Sequence, residues 1–300
     1  MPESPRVRGV APATVVPMIL VTGATGTIGS ELVRHLAARG EKVRALTRDP
    51  RKARMPADVE VVRGDYLEPA SLDAAMSEVT AAFLVGLPGP SAQHDGPLVA
   101  AARAAGVGRL VKLSAIGTGD PEVGPTGEWH VEGERAVRES GAQWVVLRPS
   151  SFASNTLSWA QALRAGEPVP NMSGAGAQGV VDPRDVAEAA AVALLDERRA
   201  DRTYTLTGPE TISVPGQAQV LAGLLGRPVP TRDLTSDEVR AHVLQWWQDE
   251  AVADGVAVSS AFVRRGGNAV VTEDVPRLLG RPARTYREWA RDHRGAFEAE

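Results

Sequence analysis

Three glycines spaced three apart, in Gly23-Ala24-Thr25-Gly26-Thr27-Ile28-Gly29, form the stretch of this sequence with the plainest chemistry. Glycine lets a chain bend sharply and approach a ligand closely, and the N–H groups that open a helix carry partial positive charge. Between a strand and a helix, such a turn cradles phosphate. Both neighbours are present here. Met18-Ile19-Leu20-Val21 reads as a buried parallel strand. Leu32, Val33 and Leu36 make an apolar helical stripe that stops at Gly40. The expected ligand is a dinucleotide, held by Gly23, Thr25, Gly26, Thr27, Ile28 and Gly29. A site selective for NAD wants an acid about 20 residues further on, to bond the ribose 2′-hydroxyl. Thr47 and Arg48 stand there instead, and a guanidinium fork suits a 2′-phosphate, so NADP(H) is the preferred cofactor. Asp49 keeps NAD(H) open.

Composition removes several other chemistries. The chain of 300 residues contains no cysteine, which excludes disulfides, thiolate zinc sites and thiol catalysis. The histidines, at 35, 94, 130, 242 and 293, lack paired metal-ligand spacing, so no metal is expected. A formal net charge of −4 argues against electrostatic nucleic-acid binding, and no apolar run is long enough for a membrane span. Residues 1–17, with prolines at 2, 5, 12 and 17 and no apolar stretch, read as a disordered extension rather than a signal peptide. The expected setting is cytoplasmic, as a monomer or homodimer.

Strands and helices alternate through the first half. Strands are expected at 42–47, 59–65, 81–85, 109–114 and 144–148, and helices at 69–76, 95–105 and 127–140, the last ending at Gly141. This alternation specifies an α/β, Rossmann-like, doubly wound parallel sheet. Residues 18–155 would form the dinucleotide-binding core and 156–300 a smaller α/β substrate lobe, with 180–210 returning to the core. Ligands bind such sheets beyond the carboxyl ends of the strands. That rule gathers 23–29, 47–48, 65–67, 86–89, 114–118 and 149–155 into one crevice, and adds Gly86, Pro88 and Pro149 to the cofactor candidates.

The chain resembles the NmrA-like branch of the atypical short-chain dehydrogenase/reductases. Beyond the glycine turn, the resemblance rests on Leu46-Thr47-Arg48-Asp49-Pro50, Gly64-Asp65-Tyr66, Leu113-Ser114-Ala115-Ile116-Gly117 and Leu147-Arg148-Pro149. Val181-Asp182-Pro183-Arg184-Asp185 and Leu279-Gly280-Arg281-Pro282 extend it towards the C-terminus. It implies that Asp65 and Tyr66 border the adenine and that Ser114 is the active-site serine. It also implies a Tyr-x-x-x-Lys pair on the following helix, and here the sequence departs. Aligned on Ser140-Gly141, the tyrosine and lysine positions fall at Thr126 and His130, four apart on one helical face. A threonine hydroxyl is too weak an acid to replace a phenol. His130 is the residue suited to proton transfer near neutral pH, with Glu134 one turn on to orient it or raise its pKa.

The resemblance implies an NADP(H)-dependent oxidoreductase that works without a Tyr-Lys pair. An apolar carbonyl, quinone-like or polyketide acceptor is expected, since quinone reduction needs little help from a strong acid. Phe152, Asn155, Trp159, Met172 and the pair Trp246-Trp247 are the candidate pocket lining, whereas Trp129 reads as core. Two alternatives stay open. One is a non-enzymatic NAD(P)-binding redox sensor. The other is an isomerase, epimerase or dehydratase that uses bound cofactor without net redox change.

Overall fold

The computed structural model describes residues 17–86, 89 and 92–298. The expectations for the N-terminal extension up to residue 16 and for Pro88 lie outside the described residues. In the first half, strands β1 (Met18–Val21), β2 (Lys42–Thr47), β3 (Glu60–Arg63), β4 (Val79–Val85), β5 (Arg109–Leu113) and β6 (Gln143–Pro149) alternate with helices. These are α1 (Thr27–Ala38), α2 (Pro69–Met76), α3 (Ala92–Ala104), α4 (Pro125–Glu128) and α5 (Val131–Arg138). The chain continues through α6 (Ala160–Ala165), β7 (Val169–Asn171), β8 (Ala177–Gln178), α7 (Pro183–Leu195) and β9 (Arg202–Leu206). It ends with β10 (Ile212–Ser213), α8 (Val214–Leu225), β11 (Thr231–Asp233), α9 (Ser236–Trp247), α10 (Glu250–Arg264), α11 (Asp274–Leu279) and α12 (Tyr286–Asp292).

The central sheet has seven strands in the order β3-β2-β1-β4-β5-β6-β9, and every pairing is parallel. Apolar residues cover both faces, as a sheet buried on two sides requires. On one face Val21, Phe83, Val111 and Leu147 pack under α1 and α7. On the other, Leu20, Leu84 and Leu110 pack under α2, α3 and α5. Strand order reverses between β1 and β4, so a crevice opens beyond their carboxyl ends.

Residues after 155 divide between the sheet and a separate layer. β9 extends the sheet beside β6, and α7 lies along α1. Asp182 caps α7 by accepting from Arg184 N at 2.8 Å. The lobe has its own cores. One is built on Trp159, Tyr286, Trp289 and Phe297, the other on Leu234, Val239, Val243 and Val252 between α9 and α10.

One expected element is broken. The helix read at 127–140 is two, α4 and α5, with Trp129 and His130 between them. Separate anchors explain the break. α4 is tied to the loop after β5 by the Gly119 N–Gly127 O bond of 2.9 Å. α5 is fixed against the sheet by Glu134 and by Gly133, where a Cβ would fall 1.9 Å from Asp95 Oδ2. Thr126 and His130 therefore do not share a helical face.

Candidate active site

The glycine turn has the geometry that an anion cradle needs. Gly23 has φ +59°, a left-handed conformation costly for other residues, and a Cβ there would sit 3.2 Å from Val85 Cβ. A Cβ on Gly29 would fall 2.2 Å from Gly23 O, so only glycine lets α1 start this close to the turn. Gly26 N donates to Gly23 O at 2.9 Å and Ser30 N to Gly26 O at 3.0 Å. The N–H groups of Thr27, Ile28 and Gly29 thus open the helix, which has no acidic residue in its first turn. The Ile28 side chain is buried in the core, so its contribution to a ligand is its backbone.

Arg48 follows β2 on the exposed surface, and no hydrogen bond or ion pair engages its guanidinium among the described residues. Asp49 is differently placed. Its carboxylate caps Arg51 N at 3.2 Å and pairs with the Arg51 and Lys52 side chains. Asp65 Oδ1 accepts from Leu67 N at 3.0 Å in a turn after β3. Burial raises the pKa of the Tyr66 phenol, against the opposing pull of Thr22 and the Gly23 backbone. Its ring lies 5.7 Å from that of His94.

Next to this turn lies a cavity of about 480 Å³. The ends of β4, β5 and β6 form one wall, with Val85, Gly86, Ser114, Pro149 and Phe152 among its residues. Thr126, Trp129 and His130 close a second side, while Gln178, Ser259 and Asn268 come from the lobe. Val85 belongs to the lining and also packs on Gly23, so cavity and cradle adjoin. The loop after β6 is held beside the lobe by Ala153 N donating to Val181 O and Val181 N to Ser151 O, each at 2.9 Å.

Behind Ser114 sits a buried ionic network. Ser114 Oγ donates to Glu134 Oε1 at 2.6 Å, and Arg148 grips the same carboxylate with two bonds of 2.8 and 2.7 Å. Arg138 adds a third at 2.6 Å. Burial pushes Glu134 up, but Arg148, Ser114 and Arg138 together outweigh it and hold the carboxyl below its ordinary value. Glu134 is thus directed at Ser114 and the arginines rather than at the His130 ring. Beside this network, Lys112 Nζ and Asp95 Oδ2 form a 2.7 Å ion pair with both side chains fully buried. Burial and the Lys112 charge push His130 down to about 4, the reverse of the expected rise. His130 is therefore neutral at pH 7, and its Nδ1 is buried without a partner among the described residues.

A family model described as NAD(P)H-binding matches residues 23–197, from the glycine turn to just past α7. This chain belongs to the NAD(P)H-binding family. It is 40% identical over 285 residues to a (4-alkanoyl-5-oxo-2,5-dihydrofuran-3-yl)methyl phosphate reductase of Streptomyces griseus, covering 94% of this chain and 100% of that protein. It is 35% identical to an NAD(P)H azoreductase of Xenophilus azovorans, with the same coverage. A solved structure of the Escherichia coli NADPH-dependent quinone oxidoreductase complexed with NADPH superposes with a TM-score of 0.81 at 26% identity, covering 92% of this chain and 99% of that one.

As an NAD(P)H-binding protein, the chain brings Ser114, Thr126, His130, Gly86, Pro149, Phe152 and Asn155 into the cavity lining. It does not bring Trp159 or Trp246 there. Trp159 is 7% exposed in the lobe core, because the turn Ala153–Trp159 runs inward after Asn155. Trp246 is 65% exposed at the end of α9, where Gln248 turns left-handed and the helix stops beyond its partner. Its neighbour Trp247 is exposed as well, and Met172 packs against the α9–α10 core. Trp129 packs against the α9–α10 core, as expected, and also lines the cavity. Gln178, Ser259, Phe262 and Asn268 carry no sequence signal, since they reach the site only through the folding of the lobe onto the sheet. Among the described residues no helix is long and apolar enough to cross a membrane.

Proposed function

We propose that this chain is an NADPH-dependent reductase that delivers hydride to a flat apolar carbonyl or quinone-like acceptor. The observation that carries this reading is the junction of the two sites: an apolar-walled cavity shares Val85 with an anion cradle built only from glycine and helix N–H groups. The residues fit the cofactor. The N–H groups of 27–29 would hold the pyrophosphate, Arg48 the 2′-phosphate, and Asp65 and Tyr66 would border the adenine. Gly86 and Pro149 would flank the nicotinamide end. NADPH supplies the hydride when bound.

The chain's own part is orientation rather than strong acid catalysis. Ser114 has its hydrogen committed to Glu134, and His130 is neutral. Ser114 Oγ and His130 therefore act as polar fixtures beside the reacting carbonyl. A quinone accepts one hydride from NADPH and one proton from solvent to become a hydroquinone, leaving NADP⁺, and its hydroquinone anion is stable enough not to need an enzymic acid. Relatives named as an azoreductase and a quinone oxidoreductase support acceptors of this class.

A panel of uncharged quinones, with NADPH and NADH compared at equal concentration, tests this reading. Consumption of NADPH with the best quinone, faster than of NADH, is the expected result. Tight NADPH binding without turnover on any acceptor would contradict it and favour a regulatory role.

A further inference from the structure

The cavity lining contains no lysine, arginine, aspartate or glutamate among the described residues. Its one titratable group, His130, stays neutral at pH 7. Two arginines that flank lining residues along the chain are engaged elsewhere. Arg148 is held by Glu134. Arg264, next to the lining residue Val263, turns away to the carbonyls of Leu234 at 2.8 Å and Met172 at 3.3 Å. An ionised phosphate, sulfonate or carboxylate seated among these walls would lose its hydration without gaining a countercharge.

What the lining does offer is neutral. On the lobe side, Asn268 Nδ2 donates to Gln178 Oε1 at 3.0 Å. The pair keeps the Gln178 Nε2 donor and the Asn268 Oδ1 acceptor without a protein partner among the described residues. These two half-buried amide atoms suit a ligand that can both accept and donate hydrogen bonds without carrying charge.

We infer that the site selects an uncharged acceptor whose polar end meets the Gln178–Asn268 amide pair, and that it discriminates against phosphorylated or sulfonated acceptors. This rests on the reductase reading above and deepens it. It separates the chain in substrate class from the Streptomyces griseus relative, whose name specifies a phosphate. Gln178 and Asn268 become the specificity-determining residues of the lobe wall.

The test uses the full chain and acceptor pairs that differ only in charge: 1,4-naphthoquinone against its 2-sulfonate, and a hydroxymethyl dihydrofuranone against its phosphate ester. The expected kcat/KM favours the uncharged member by at least about tenfold, although sulfonation makes the quinone the stronger oxidant. Asn268→Lys is expected to narrow that ratio at least about fivefold while leaving the NADPH Kd and circular dichroism unchanged. Should that variant not fold, Ser259→Lys on the same wall replaces it. Equal or better use of the charged members overturns the inference, as does an unchanged ratio in the folded variant. If no acceptor turns over, the reductase reading fails by itself. Calorimetric binding of the same pairs to the NADP⁺-loaded chain then decides: preference for the uncharged ligand upholds the inference, and equal affinity overturns it.

Discussion

At the glycine turn, the groups that would meet a ligand are main-chain N–H groups of residues 27–29, within one seven-residue stretch; across the cavity, they are side chains delivered by β5, β8, α4, α10 and the loops between. The first kind of site is fixed locally. Gly23 must have positive φ and Gly29 must lack a Cβ, whatever the rest of the chain does. The second kind exists only once the lobe has docked, and its residues can change without disturbing any local motif. The same division separates a shared function, binding a dinucleotide, from an individual one, choosing an acceptor.

Breaking the first region should have the largest effect. Gly29→Val drives a side chain into Gly23 O and Ala24; overpacking of this sort costs about 1–3 kcal/mol. The NADPH Kd should rise by roughly 10- to 100-fold in a fluorescence titration, with the sheet still folded by circular dichroism. Arg48→Ala sharpens the same region. Loss of a charge-assisted bond to a 2′-phosphate, about 1.5–3 kcal/mol, should weaken NADPH by roughly 10- to 100-fold and leave NADH unchanged. Equal weakening of both would remove Arg48 from that role.

The second region responds first in stability. Glu134→Gln leaves Arg148 short of a buried partner, with an expected loss on the order of 3 kcal/mol in denaturant unfolding. Because the folded pKa of Glu134 is lowered, its stabilisation is full above the ordinary carboxylate range and is lost as pH falls through the folded value. The variant should lack that acid-sensitive component. His130 titrates at about 4 when folded, against about 6.5 unfolded, so the folded state binds fewer protons between them. Stability should therefore decline as pH falls from about 6.5 towards 4, and His130→Gln should flatten that decline. kcat/KM should show no histidine inflection between about pH 5.5 and 8. The smallest effect is expected outside both regions: Trp246→Ala, at an exposed helix end, should leave kcat/KM within about twofold.

How legible each region was follows from the same contrast. The parallel alternation of strands and helices and the glycine turn were readable because periodicity and positive-φ positions act within a few residues. α2 occupies the expected span, since Pro69 marks its start. The site beyond Ser114 was only half readable. Thr126 and His130 line the cavity, but the break between α4 and α5 depends on contacts with Asp95, Lys112 and the loop after β5, which no local pattern reports. The drop in the His130 pKa has the same origin, because Lys112 approaches it from another element. Aromatic type misled the choice of lining: Trp159 and Trp246 were attractive by chemistry and are excluded by position, while Gln178 and Asn268 belong to segments too short to show periodicity.

The central claim is that hydride passes from NADPH into the neutral cavity. Turnover of an uncharged quinone with NADPH deuterated at C4 on the transferred face tests it most directly. The account predicts one NADPH consumed per quinone reduced, with slower consumption of the deuterated cofactor in single turnover. Binding of NADPH without its oxidation, or quinone conversion that leaves NADPH intact, would contradict it.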